Sequence, residues 1–147
     1  MKATKAAIDL FFQQKRIAVA GVSRRRAHFS RIVFSALRER GYDAVPVNPA
    51  GGEIDGLAAA ASLGEVSPPP GAVLVLTARV GAPIVAQAAA AGARVLWLYR
   101  RPAFAIGPPV PGLEIVAGEC PLMFMPDTGW IHAAHRGLRA VFGQLPS

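Results

Sequence analysis

A chain of 147 residues, 52% of them hydrophobic and 17% charged, is long enough to bury the core of one domain and too apolar to stay disordered. Its apolar runs, such as Ala82 to Ala91, are too short to span a bilayer. The formal net charge of +7, carried mostly by arginine, suits an anionic partner: a nucleic acid, an acidic lipid surface or a phosphorylated small molecule. An arginine-rich proteome accounts equally well for the scattered arginines, but the run Arg24, Arg25, Arg26, with Arg31 nearby, asks for a more specific account. Asp9 interrupts the stretch Met1 to Leu10 and no long apolar region follows, which argues against a secretory signal. The single cysteine, Cys120, cannot form an intrachain disulfide and fits a reducing compartment. The expectation is a cytoplasmic domain that does not enter the membrane.

Ala3 to Gln14 reads as a flanking helix. Arg16 to Ser23 (RIAVAGVS) is a short apolar run ending in Gly and Ser, the pattern of a buried strand. His28 to Arg40 follows as a helix, with Phe29, Ile32, Val33, Ala36 and Leu37 at helical spacing. Arg31, Ser35 and Arg38 fall on its opposite face, and Gly41 is a C-terminal stop. Asp43 to Pro49 (DAVPVNP) is the second strand, and Pro46, lacking a backbone donor, predicts an irregular or partly paired stretch there. The alanine tract Ala58 to Ala61 reads as local helix, and Ser62 to Glu65 (SLGE) has capping-box spacing for one short helical turn. Gly71 to Thr77 (GAVLVLT) is the third strand. Pro83, at an early helical position, opens a helix through Ile84, Val85, Ala88 and Ala89 to Gly92. Arg94 to Tyr99 (RVLWLY) is the fourth strand, and a loop rich in Pro and Gly leads to the fifth, Leu113 to Ala117 (LEIVA). A last helix is expected at 130–142, where Trp130, Leu138 and Val141 fit a packing stripe for the core or a dimer face.

Near-continuous apolar strands alternating with crossover helices imply a parallel sheet buried on both faces, because parallel neighbours need right-handed crossovers. The expected fold is therefore α/β and Rossmann-like: one domain over residues 1–147, built on a doubly wound, mainly parallel five-stranded sheet with helices on both faces.

In such a sheet ligands bind at the carboxyl ends of the strands, near the reversal of strand order. That edge gathers Gly21 to Arg26, Asn48 to Ala50, Thr77 to Arg79, Tyr99 to Arg101, and Cys120 onward. Gly21-Val22-Ser23 is the most telling of these. A glycine at the first strand-to-helix turn lets the backbone approach a pyrophosphate, and the helix N-terminus offers free amides and a partial positive charge. The Ser23 and Ser30 hydroxyls and the Arg24 or Arg25 guanidinium groups would add phosphate contacts; the plainer account is a tight turn with solvated arginines. Two motifs are missing. Only Gly21 fits a G-x-G-x-x-G pattern, Asn48-Pro49 stands where an acidic ribose ligand would be, and no G-x-x-x-x-G-K-[ST] loop occurs. Ordinary NAD or ATP chemistry is disfavoured.

The G-V-S-R turn, the helix with Ser30, and then G-Y-D-A-V-P-V-N-P (Gly41 to Pro49) resemble the CoA-binding domain family, related to the nucleotide-binding domain of succinyl-CoA synthetase α chains. Gly56 with Ser62-Leu63, the pair Trp97-Leu98, and Cys120-Pro121 match further landmarks, so that the resemblance runs over residues 5–125. It implies a Rossmann-like fold that binds coenzyme A, or an acyl-CoA, through its nucleotide end. Carried over by position, Gly21, Val22, Ser23 and Arg24 would meet the phosphates, Asn48 and Pro49 would line the site after the second strand, and Thr77, Ala78 and Arg79 would flank the adenine or ribose. Tyr99 and Arg100 occupy the fourth-strand exit, where the family usually has a glutamine with a glycine nearby.

Cys120, before Pro121, stands where a ligand thiol would end; it reads first as a buried small hydrophobe and second as a thiol for mixed-disulfide or acyl chemistry. His132 and His135 are three apart, a spacing that places two ligands on one helix face, with Asp127 or His28 as distant candidates to join them. A structural zinc site needs four ligands, which disfavours metal. Met123, Phe124 and Met125 read as core first. No Ser-His-Asp order or paired carboxylates can be assembled. The expected function is noncatalytic binding of CoA or acyl-CoA as a sensor, carrier or partner module, with a homodimer or a partner protein as possible company. The alternative is a small nucleotide-dependent enzyme using Cys120 in redox or acyl transfer. Nucleic-acid binding ranks last, since no interleaved aromatics or reading helix accompany the arginines.

Overall fold

Apolar strands of four or five residues, each flanked by a turn, assemble in the computed structural model as one parallel sheet; the structure describes residues 3–126. The strands are β1 (Arg16–Ala20), β2 (Asp43–Val47), β5 (Ala72–Val75), β6 (Val95–Leu98) and β7 (Glu114–Ala117), in the spatial order β2-β1-β5-β6-β7. All four neighbouring pairs are parallel, with Ile17 beside Ala44 on one side and Ala72 on the other. Every residue of β5 and β6 is buried, as it must be for central strands covered on both faces.

One face is covered by α1 (Lys5–Gln13) and α2 (Phe29–Glu39), whose Ile8, Phe11, Phe34 and Leu37 pack on Ile17, Val19, Leu74 and Trp97. The other carries α3 (Pro83–Ala90) and a single 3-10 turn, Leu63–Glu65, over Ala18, Val73, Val75 and Leu96. This is the expected Rossmann-like α/β architecture. The connection from β6 to β7 holds no helix: prolines and glycines forbid one, and Phe104, Ile106 and Val110 cover the sheet instead. At the centre of the first face Trp97 is fully buried, with the rings of Phe11 and Phe12 edge-on at 5.0 and 5.7 Å, and its indole N–H donates to the Glu119 carbonyl at 2.9 Å. Met125 is fully buried beside it and Phe124 packs against the same cluster. Among the described residues no helix is long and apolar enough to cross a membrane. The helix expected at 130–142, with Trp130, His132, His135, Leu138 and Val141, and also Asp127, lies outside the described residues.

Three local expectations need correcting. Ala58 to Ala61 is not helix: β3 (Glu53–Ile54) and β4 (Leu57–Ala58) form an antiparallel hairpin, and Ala60 then pairs with Val47 of the sheet. The Ala60 amide donates to Pro46 and the Asn48 amide to Ala60, at 2.9 and 2.8 Å, so tertiary hydrogen bonds outweigh the intrinsic helix preference of alanine. Pro46 is fully in register opposite Val19 rather than irregular. Its carbonyl faces away from β1, toward Ala60, so the missing N–H falls on the outer side of an edge strand, where no ladder bond is lost. On α2 the assignment of two neighbours is reversed: Ile32 is 50% exposed while Arg31 is only 7% exposed. Arg31 is drawn inward by an ion pair with Asp55 in the hairpin turn.

The loop after α2 is fastened to α1 by Tyr42, whose hydroxyl donates to the Phe12 carbonyl at 2.7 Å. Burial raises its phenol above the ordinary value of 10.0, with the Arg40 charge opposing the shift. The folded state therefore holds this proton more tightly than the unfolded chain. The contribution is complete below pH 10.0 and is lost as pH climbs from there through the higher folded value. Tyr42→Phe should cost about 1 kcal/mol at neutral pH and flatten the alkaline fall in melting temperature, which melts between about pH 9 and 11 will reveal.

Candidate functional site

Chain reversal creates the site. From β1 the chain turns to α2 on one face, and from β5 it turns to α3 on the other, so the carboxyl ends of these adjacent strands open a crevice between them. The backbone pinches together at its floor. Gly21 has φ +88°, and a Cβ placed on it would lie 2.7 Å from the Thr77 Cβ and 2.9 Å from the Thr77 amide nitrogen. Only glycine fits, for both reasons.

From this pinch a cleft of about 1220 Å³ extends along the carboxyl edge and beside α3, larger than the ~300–1,000 Å³ typical of small-molecule pockets. Nine of the thirteen residues that the sequence assigns to ligand contact line it: Gly21, Val22, Ser23, Asn48, Pro49, Thr77, Ala78, Arg79 and Arg100. Three separate loops are shaped alike. The Ser23 hydroxyl accepts the Arg25 amide at 3.1 Å, Asn48 Oδ1 accepts the Ala50 amide at 2.9 Å, and the Thr77 hydroxyl accepts the Arg79 amide at 3.1 Å. Each side chain folds its own loop two residues on. The hydroxyl protons of Ser23 and Thr77 are not used in these bonds and remain available to an acceptor in the cleft. Arg79 and Arg100 are exposed at the rim, and no acidic residue is among the described residues lining the cleft.

The other four of the thirteen, Arg24, Arg25, Ser30 and Tyr99, do not line it. Ser30 is fully buried, and its hydroxyl accepts the Ser23 amide at 2.8 Å, so it braces the turn from beneath. Arg24 reaches across to the Gly51 carbonyl at 3.2 Å and ties the first turn to the loop after β2. Arg25 is exposed outside the cleft lining. Tyr99 continues the strand alternation of β6 onto the α2 face, where it stacks on Phe29 with centroids 4.8 Å apart and planes at 28°. The next residue, Arg100, therefore comes to the cleft side. Cys120 is half-buried at the start of a 3-10 turn, Pro121–Met123, and does not line the cleft. Among the described residues no three or more His, Cys, Asp or Glu side chains converge as a metal site.

Sequence reasoning noted Arg31 as part of a basic cluster but placed it on the outer face of the helix, and so missed its role beneath the turn. Its guanidinium donates to the Ser23 and Arg24 carbonyls at 3.4 and 3.1 Å and is ion-paired with Asp55. The hairpin turn beneath the pair was legible, since Asp55-Gly56 between Ile54 and Leu57 is a strong two-residue hairpin signal, and both turn residues have positive φ, 50° and 78°. The far walls, from Ser62 to Gly64 and along α3 at Ile84, Gln87 and Ala90, follow only from the packing of α3 over the 3-10 turn.

Fold and cleft define a Rossmann-like α/β domain with a basic-rimmed crevice at its switch point. A family model described as CoA binding domain matches residues 15–124, and the chain belongs to that family. A curated relative, the uncharacterized protein YneT of Bacillus subtilis (strain 168), is 42% identical over 67 residues. That match takes in 45% of this chain and 50% of YneT, so the chain spans about half the length of that relative. Two solved structures have the same fold. A hypothetical protein from Pyrococcus horikoshii OT3 superposes with a TM-score of 0.67 at 24% identity, over 85% of this chain and 94% of its own. A Thermus thermophilus protein designated cell-free ID.343 does so with 0.62 at 25% identity, over 91% and 95%.

Proposed function

We propose that this domain binds coenzyme A or an acyl-CoA through its nucleotide end and acts as a noncatalytic cytoplasmic module, a sensor, carrier or partner subunit. The reading is carried by the Gly21–Thr77 pinch at the switch point, in a chain that belongs to a CoA binding domain family. Only with glycine at that turn can the loops after β1 and β5 close on each other and line one cleft together. The Ser23 and Thr77 hydroxyls are oriented by their own loops, and Arg79 and Arg100 supply positive charge at the rim. The size of the cleft, about 1220 Å³, suits a ligand larger than a mononucleotide. The position of Cys120 outside the cleft lining supports binding without thiol chemistry.

Titration calorimetry with CoA, dephospho-CoA, ADP and NAD tests this. Saturable binding of CoA, tighter than that of the other three, is expected. Arg79→Ala and Arg100→Ala should each weaken it by about tenfold, the worth of one charge-assisted hydrogen bond. Equal, weak binding of all four anions would sink the proposal.

A further inference from the structure

His28 precedes the first turn of α2 and lines the cleft, and hydrogen bonding dictates which of its ring nitrogens carries the proton. Nδ1 accepts the Ser30 backbone amide at 3.1 Å and lies 2.8 Å from the Ser30 hydroxyl oxygen. A backbone amide only donates, so Nδ1 bears no proton. The Ser30 oxygen itself accepts the Ser23 amide at 2.8 Å, which leaves the Ser30 hydroxyl proton to point at Nδ1. The relay from the Ser23 amide through Ser30 to His28 thus has one sense. It puts the single proton of the neutral imidazole on Nε2, the nitrogen away from the cap.

We infer that His28 is a ligand-binding residue whose Nε2–H, fixed as a donor by Ser30, contacts a phosphate oxygen of the cofactor at the Gly21–Ser23 turn. The inference rests on the CoA reading and deepens it by naming the donors that turn uses. The Ser23 amide is taken by Ser30, so it cannot serve the phosphate. The turn answers with side chains, the Ser23 hydroxyl and the His28 ring. Both are positioned by backbone contacts of their own, and so meet the ligand with little reorganisation.

The test uses the full chain with CoA as probe. Long-range proton–nitrogen spectra of the free protein should show His28 protonated at Nε2 and bare at Nδ1. CoA should shift the Nε2 resonance and leave Nδ1 as a cap acceptor, a response that a purely structural histidine would not give. His28→Asn keeps an acceptor at a position where Asn is among the best caps, and replaces the Nε2 donor with an amide N–H on a shorter side chain that falls short of the place Nε2 occupies. It should bind CoA about tenfold more weakly. A free ring protonated at Nδ1, an Nε2 resonance unmoved by CoA, or a His28→Asn variant that binds CoA as tightly as the parent overturns the inference. Each of these leaves the CoA reading standing, because that is decided by titration of the parent protein. A parent that fails to bind CoA ends both.

Discussion

Gly21→Ala should lower stability by roughly 2–5 kcal/mol and weaken CoA binding by well over about tenfold. Two separate costs add. An L-residue held at φ +88° loses about 1–2 kcal/mol to the clash of its Cβ with its own carbonyl. The added methyl also meets Thr77, and the nearest atoms include a backbone nitrogen at 2.9 Å, which cannot swing aside as a side-chain tip would. Forcing that contact apart costs a further ~1–3 kcal/mol and moves the Thr77–Arg79 loop, one wall of the cleft. Gly41 separates the two terms. It has the same φ, +88°, with nothing within 4 Å of an added Cβ, so Gly41→Ala should show the backbone cost alone and bind CoA normally. Thr77→Gly combined with Gly21→Ala should recover part of the loss, but not the part due to φ or to the Thr77 amide. Urea unfolding of the four proteins, with CoA titration of each, measures this. A Gly21→Ala protein that melts and binds like the parent would show that the pinch does not shape the cleft.

The sheet was legible because its strands are apolar on both sides and are punctuated by turns. Leu74 and Val75 face opposite layers, yet both are buried, so the sequence runs on without alternation and reads as parallel strand. Once the order of strands and helices is known, topology brings the loops after β1, β2, β5 and β6 together, and this is why nine of the expected residues, from four loops, line one cleft. Side-chain direction was harder to read. Arg24 and Ser30 were expected to meet phosphate, but each satisfies a backbone group: Arg24 the Gly51 carbonyl, Ser30 the Ser23 amide. Arginines near a phosphate turn advertise charge, and charge does not reveal which of them the fold consumes. Tyr99 and Arg100 were both expected at the site; period-two alternation from the buried Trp97 would have sent the tyrosine to the α2 face and the arginine to the cleft. Ala58 to Ala61 failed for the opposite reason. Its local preference was clear, and distant carbonyls overrode it.

Arg31 is where stability and binding are expected to meet. Its side chain is 9% exposed against 31% for Asp55, so the pair is asymmetric: the carboxylate still reaches water and the guanidinium scarcely does. Its Nε is buried without a hydrogen-bond partner, and the remaining nitrogens serve Asp55 and the carbonyls of Ser23 and Arg24. Arg31→Met keeps the bulk and removes the donors. It should cost about 3 kcal/mol, because two carbonyls of the cleft turn and one carboxylate lose their partner together. Asp55→Asn leaves the guanidinium buried with only neutral acceptors, at a cost of about 2 kcal/mol. The double variant should cost about 3 kcal/mol rather than the sum, since once the buried cation is gone the neutral amide at position 55 has no charge to disappoint. Denaturant unfolding of the four proteins gives this coupling directly, and additive losses would mean that the pair is not an energetic unit. In CoA titrations below the unfolding transition, Arg31→Met should bind several-fold more weakly than Asp55→Asn. Both lose the ion pair, but only the first frees the Ser23 and Arg24 carbonyls, and those carbonyls hold the turn on which the proposed phosphate site is built.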